Sequence, residues 1–232
     1  MSTPELPDGR RPAPGPVTPA QPPGGRGTDM FGATRGSDTS GFGGLVKRQP
    51  VAASSPRPFG SWFDEAVDTL AESLGSGFDE AVTRVVVDRG ELTLHVRPDR
   101  MADVAKVLRD DPGLRFELCS GVSGVDYPSE ATRLHAVVHL LSMTYRRRIR
   151  LETAVTVEDP HVASVSHVYP TADFHERETW DMFGIVFDGH PALSRILMPE
   201  DWEGHPLRKD FAQGRVPVQF KAPNQPSTGG AR

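Results

Sequence analysis

The sequence predicts an α+β fold, a two-layer domain of helices packed on a mixed sheet. Three observations carry that prediction: two stretches with apolar residues at helical spacing, several stretches that alternate or run apolar, and their order along the chain, α-β-β-α-β-β-β. In the first stretch Phe63, Val67, Leu70 and Leu74 share one helical face. Ser61 is placed to cap it, and Gly75 and Gly77 are placed to stop it. Thr83 to Asp88 and Glu91 to Arg97 flank Arg89-Gly90 and read as a hairpin. Pro98 and Asp99 open a second helix, with Met101, Val104, Val107 and Leu108 on one face and an end near Pro112-Gly113. Three further strands are expected at Leu114 to Gly121, Arg133 to Thr144 and Arg148 to Val157, the last two joined by the basic turn Tyr145-Arg146-Arg147. Leu134, Val137, Val138 and Leu141 also fit a period of 3.6, so residues 133 to 144 satisfy a helix as well; strand is the reading taken.

The 232 residues are organised in four parts. Residues 1–60 hold 11 of the 22 prolines and 11 of the 23 glycines, a composition that buries too little apolar surface to offset its ordering entropy. This is an arm, either plainly disordered or extended over a neighbouring protein with Met30, Phe31, Phe42, Leu45 and Val46 as anchors. Residues 61–170 form the α+β domain, 171–211 an irregular interaction segment, and 212–232 a polar tail, so that both termini are extended.

Composition excludes several function classes. A formal charge of -5 lacks the basic footprint of a nucleic-acid-binding domain. Cys119 is the single cysteine, so the chain forms no internal disulfide and assembles no cysteine-ligated iron-sulfur cluster or Cys-rich zinc site; it suits a reducing compartment. No apolar run reaches 18 residues, and no secretory signal is expected. Membrane association is expected only through partners.

Candidate functional residues concentrate between His175 and Phe211, which hold two of the three tryptophans, three of the eight histidines and Gly-His-Pro twice. A helix is expected from Phe174 to Phe183, with Asp173 as cap, Glu176 as its capping-box partner and Gly184 as the left-handed stop. Glu178 and Asp181 stand three residues apart and could form an acid and base pair, yet no Ser or Cys nucleophile is adjacent. His175, His190 and His205 with nearby carboxylates could in principle form an open zinc site, but no close histidine pair is present. Proline after His190 and His205 suits histidines that order a loop. Trp180, Phe183, Phe187, Ile196 and Leu197 read as packing rather than a cofactor box, and Trp202, Arg195, Arg208, Lys209 and Asp210 complete a set typical of protein interfaces. Arg146, Arg147, Arg148 and Arg150 form a second basic cluster, read either as a solvated hairpin tip or as a set of partners for a neighbouring protein's carboxylates.

The run Glu176-Arg177-Glu178-Thr179-Trp180-Asp181-Met182-Phe183-Gly184, followed by Gly189-His190-Pro191, Arg195-Ile196-Leu197 and Gly204-His205-Pro206-Leu207-Arg208-Lys209-Asp210-Phe211, resembles the signature of the 30 kDa subunit family of respiratory complex I, called the C-type subunit in bacteria. Ser194 departs from it, standing where members often carry a basic residue or proline. The resemblance implies a non-redox scaffold in the peripheral arm of the proton-translocating NADH:quinone oxidoreductase, at the cytoplasmic face of the cell membrane. It implies no catalytic residue, metal or cofactor on this chain, with FMN and iron-sulfur clusters in partner subunits. Docking on the 49 kDa-type (D-type) subunit, and near the B-type subunit that holds the terminal cluster, would use Glu176, Arg177, Glu178, Trp180, Asp181, His190, Arg195, Trp202, His205, Arg208, Lys209 and Asp210. Two alternatives are an equivalent component of a membrane-bound hydrogenase complex, and a stand-alone metal-dependent hydrolase built on His175, His190, His205 and Glu178.

Overall fold

The structure, a computed structural model, describes residues 53–211. The expected arm up to residue 52 and the tail from 212 lie outside the described residues. Order begins before Ser61: the Ser55 amide donates to Val85 O at 2.9 Å, and its hydroxyl accepts the Val87 amide at 2.9 Å.

Helix α1 spans Phe63–Leu74 and buries Phe63, Ala66, Val67 and Leu70, the face its apolar spacing defines. Ser61 is not its cap. It sits at φ 56°, and the Gly60 amide donates to Asp64 Oδ2 at 2.9 Å instead. Gly75 ends α1 as expected, whereas Gly77 opens a second short helix, α2 (Gly77–Ala81). Strands β1 (Val82–Asp88) and β2 (Glu91–Val96) form the expected hairpin, with Arg89 and Gly90 both at positive φ. A 3-10 turn at Pro98–Arg100 leads into α3 (Met101–Asp110).

Strand β3 runs over Leu118–Asp126 rather than Leu114 to Gly121. Leu114 and Phe116 alternate like strand residues but are buried in the connection. Arg115 between them turns at φ 46°, and the Phe116 amide donates to Leu108 O, near the end of α3. Strand β4 (Leu134–Ser142) bears out the strand reading; its sequence fits both periods because seven of its nine residues are buried. Strand β5 covers Arg147–Val155. The sheet order is β1-β2-β5-β4-β3, with β2 and β5 parallel and the other pairs antiparallel, so the sheet is mixed.

Three elements follow. Strands β6 (His161–Ala163) and β7 (Val186–Asp188) pair in parallel and were not legible, each being three residues long. Between them α4 spans Ala172–Phe183, starting two residues before the expected Phe174.

Register assigns the two faces. Leu92, Leu94, Ile149, Leu151, Leu134, Ala136, Val138, Leu140 and Val122 align on one face and share a core with α1 and α3. Burial of these aliphatic residues, at about 25 cal/mol per Å² of apolar surface, is the main favourable contribution to the domain. The opposite face carries Arg84, His95, His135, His139, Arg150 and Glu152. The basic cluster is mostly paired within the chain: Arg147 stacks on Trp62 and Tyr145 and reaches Glu65, Arg148 reaches Glu91, and Arg150 reaches Glu152. Helix α4 packs on β3, where a Cβ on Gly124 would overlap the Phe183 ring. That bare glycine backbone lets the helix approach, and so fixes where the residues after α4 begin.

Candidate functional site

Helix α4 presents alternate faces to two loops, and its carboxylates decide what each loop does. Glu176 faces inward, fully buried, with Oε2 accepting the Ser164 hydroxyl at 2.6 Å and Oε1 accepting the Val165 amide at 2.7 Å. It is therefore not a capping-box partner. The residue before α4 is Thr171, which makes no side-chain cap, and Asp173 lies inside the helix. Burial pushes the Glu176 carboxyl above its ordinary range, with the Ser164 and Val165 bonds only partly opposing that. Glu176 ties the loop after β6 to the helix.

Further along α4, Asp181 is the hub of residues 194–206. Its side chain is fully buried, and Oδ2 accepts three consecutive amides: Ile196 at 3.1 Å, Leu197 at 2.8 Å and Met198 at 2.9 Å. Oδ1 takes Arg195. Burial raises the Asp181 carboxyl, but these amides and the guanidinium outweigh it and hold it below its ordinary range. Arg195 then closes the loop from inside, donating to Trp202 O at 2.8 Å and Gly204 O at 3.2 Å while lying over the Trp180 ring.

Both Gly-His-Pro histidines order backbone, as their spacing predicts. His190 Nδ1 accepts the Ala192 amide, which leaves the Nε2 proton to donate to Asp173 O at 3.2 Å. His205 Nδ1 donates to Asp181 O at 3.0 Å, and its ring lies so near Gly184 that a Cβ there would be 2.7 Å away. Gly184, at φ 79°, is the expected left-handed stop, and its missing side chain is also where His205 seats. Arg177 lies over Phe174 and donates to Ser194 O at 3.3 Å and Arg195 O at 3.4 Å. Position 194 thus contributes a carbonyl, which any residue supplies.

The end of the segment is fastened to the sheet. Asp126, at the end of β3, pairs with Arg133 and accepts the Lys209 amide at 2.7 Å; Arg133 reaches on to Asp210 at 3.1 Å. Burial raises the Asp126 carboxyl, and Arg133 with the Lys209 amide more than reverses this, so it lies below its ordinary range. Arg208 pairs with Asp210, the Leu207 amide donates to Met182 O, and Trp202 stacks on Phe211. Asp126, Arg133, Ser164 and Val165 escape sequence reasoning; Asp126 and Lys209, for instance, are 83 positions apart.

Of the candidate residues, Trp180, Asp181, Arg195, Trp202 and His205 come together around one hub, with Glu176, Arg177 and His190 on adjoining ties and Arg208, Lys209 and Asp210 at the fastened end. Glu178 is exposed, while Asp181 is buried with both oxygens taken by Arg195 and three loop amides, so the two are not an acid and base pair. His175, His190, His205 and Glu178 do not converge: among the described residues no group of three or more His, Cys, Asp or Glu is placed to hold a metal ion. Cys119 is buried, and burial pushes its thiol up to about 11.

Comparison with known proteins supplies the context for this geometry. Residues 94–216 match the family described as respiratory-chain NADH dehydrogenase, 30 Kd subunit. A protein of Salinispora arenicola named as the C subunit of NADH-quinone oxidoreductase is 59% identical over 224 residues, covering 92% of this chain and 91% of that protein. Its namesake in Saccharopolyspora erythraea is 58% identical over 200 residues, covering 85% of this chain and 80% of its own length. The Streptomyces coelicolor namesake is 54% identical over 202 residues, with the same two coverages, 85% and 80%. Among solved structures, a chain of the membrane-bound sulfane sulfur reductase, an archaeal respiratory membrane complex, aligns with TM-score 0.55 at 22% identity, covering 70% of this chain and 95% of that one. That likeness is one of fold.

Proposed function

Because the chain belongs to the 30 kDa subunit family of respiratory-chain NADH-quinone oxidoreductases, we propose that it is a non-redox scaffold of the peripheral arm of complex I, holding the quinone-reducing module together. The observation that carries this reading is the use made of the signature's charges. Asp181, Arg195, Glu176, His190 and His205 are all engaged within the chain, so their joint product is two loops held on α4, the one after β6 by Glu176 and the one after β7 by the others. A side chain committed to four internal bonds is a structural element rather than a reacting group.

In this proposal the 49 kDa-type subunit and the subunit holding the terminal cluster are the neighbours, FMN and iron-sulfur clusters reside in partner subunits, and this chain sits peripherally at the cytoplasmic face of the cell membrane. Among the described residues no helix is long and apolar enough to cross a membrane, which agrees with attachment through partners. Electron transfer and proton translocation then belong to the assembled complex. The test is Arg177→Ala, which removes the ties to Ser194 O and Arg195 O. The expected result is less assembled complex with unchanged NADH:quinone turnover per complex; normal assembly with slowed turnover would sink the reading. A second reading, the equivalent component of a related non-NADH respiratory complex, draws on the fold shared with the sulfane sulfur reductase chain. Tagged protein that brings down iron-sulfur clusters without NADH oxidation would select it.

A further inference from the structure

If the signature's charges face inward, something else must face the partner. With Asp181, Arg195, His190 and His205 turned into the loop, the large apolar side chains of the segment left exposed are Phe174 (60%), Leu197 (55%), Leu207 (51%) and Ile196 (38%), and three of these, Phe174, Ile196 and Leu197, lie together. They belong to one surface: Arg177 lies over Phe174 and bonds Ser194 O and Arg195 O, the carbonyls that precede Ile196 and Leu197. Solvent-exposed aliphatic and aromatic residues in a contiguous patch mark interaction sites, more so when rigidly held. Asp181 holds these, since it fixes the amides of Ile196 and Leu197 themselves.

The exposed charges on this helix and loop are acidic. The loop that Arg195 closes from inside carries Glu200, Asp201 and Glu203, all exposed, and Glu178 is exposed on α4. Among the described residues, the ion pairs of residues 171–211 are those of Arg195 with Asp181 and of Arg133 and Arg208 with Asp210, beside the histidine–carboxylate contacts of His161 with Asp188 and His190 with Asp173. None involves Glu178, Glu200, Asp201 or Glu203. Four exposed carboxylates on the loop and helix that carry this apolar patch, against the one guanidinium of Arg177 over Phe174, favour a ligand of the opposite sign with an apolar centre of its own.

We infer that Phe174, Ile196 and Leu197, with the exposed carboxylates Glu178, Glu200, Asp201 and Glu203 of the same helix and loop, form the docking surface for a basic segment of another protein of the oxidoreductase complex, one with Lys or Arg flanking aliphatic residues. The inference rests on the reading of the chain as a component of that complex. It departs in part from the expectation that the signature's charged residues meet the partner: Asp181, Arg195, His190 and His205 build the surface, whereas Glu178, Ile196 and Leu197 of the same signature are on it.

The test uses full-length tagged protein recovered from mildly solubilised membranes, with partner subunits measured per tagged chain. Leu197→Asp, and separately Glu200→Lys with Glu203→Lys, should each lower the recovered partners about tenfold or more, while Glu72→Lys on α1 leaves recovery unchanged. Exposed positions leave the fold intact, so the melting temperature of the isolated variants should match the parent. Partners recovered equally with Leu197→Asp and the parent would overturn the surface while leaving the complex I reading in place; no partners with the parent chain would overturn that reading itself. Two other occupants also overturn it. One is a second copy, shown by a parent dimer that Leu197→Asp converts to a monomer. The other is the chain's own tail, shown by Leu197→Asp destabilising the full chain but not a chain ending at Phe211.

Discussion

Glu176 and Asp181 are five residues apart on the same helix and end with opposite ionisation behaviour, because of what surrounds each oxygen. Asp181 receives three amides and a guanidinium, and so stays charged below its ordinary range; Glu176 receives one amide and one hydroxyl in a fully buried site, and burial wins. The two therefore act on stability in different pH ranges. For Glu176 the folded chain keeps its proton to a higher pH than the unfolded chain, so stability falls as pH rises from the ordinary value of 4.5 towards the raised folded value. For Asp181 the contribution is complete above the ordinary value of 3.8 and is lost as pH falls below it. Glu176→Gln, which stays neutral, should remove the first effect alone. Urea unfolding at about pH 5 and about pH 8 should show the variant gaining on the parent at the higher pH, where the parent has a charge to bury. Parallel changes in the two proteins would mean Glu176 is already ionised in the folded state. The histidines show what could be read at this scale: proline after His190 and His205 was enough to assign loop-ordering roles, because the proline constraint is local. The partner of Glu176 is not legible in this way, because Ser164 is 12 positions away and nothing in the spacing announces it.

Helices and the hairpin were legible for the same reason, as their signals are short-range: the apolar face of α1, the Arg89-Gly90 turn, the left-handed Gly184. What failed was set by contacts across the chain. Strand β3 was misplaced because Leu114 and Phe116 are buried under α3 rather than in the sheet, and the parallel pairing of β2 with β5 joins residues 57 positions apart. Gly124 is another such case. In sequence it is a glycine in a strand, a weakening feature; in the fold it is the floor under Phe183. Gly124→Ala should cost about 1–3 kcal/mol, as overpacking does, by pushing α4 off β3. In a Phe183→Leu background, which removes the ring that the added methyl would meet, the same substitution should cost measurably less. A double-mutant cycle by chemical unfolding checks this, and additive costs would show that the glycine is needed for strand geometry rather than for helix approach.

Across the whole molecule, the sheet and the segment after β7 are held by different forces. The sheet shares an apolar core with α1 and α3 that includes Leu70, Leu92, Leu94, Leu108, Leu134 and Leu151, all fully buried. The segment 189–211 contributes Leu193 to the rim of that core and is otherwise fastened by polar ties: the Asp181 hub, the two histidines, and the Lys209 amide on Asp126. Such a division predicts two cooperative units, the segment opening without the sheet. Asp181→Ala should reveal it. Removing the carboxylate leaves Arg195, whose side chain is 13% exposed, without its anion, a loss of about 3–5 kcal/mol for a buried pair. The amides to follow by hydrogen exchange are those of Leu207 and Lys209, which donate to Met182 O and Asp126 and not to Asp181. They should exchange about a hundredfold faster or more, while Val138 and Leu140 in β4 keep their protection. Equal acceleration in β4 would mean a single cooperative unit, and loss of assembly in segment variants would then report global unfolding. Unchanged β4 exchange with a loosened segment would instead separate holding the fold from presenting the loop, and the second is what a scaffold must do for its neighbours.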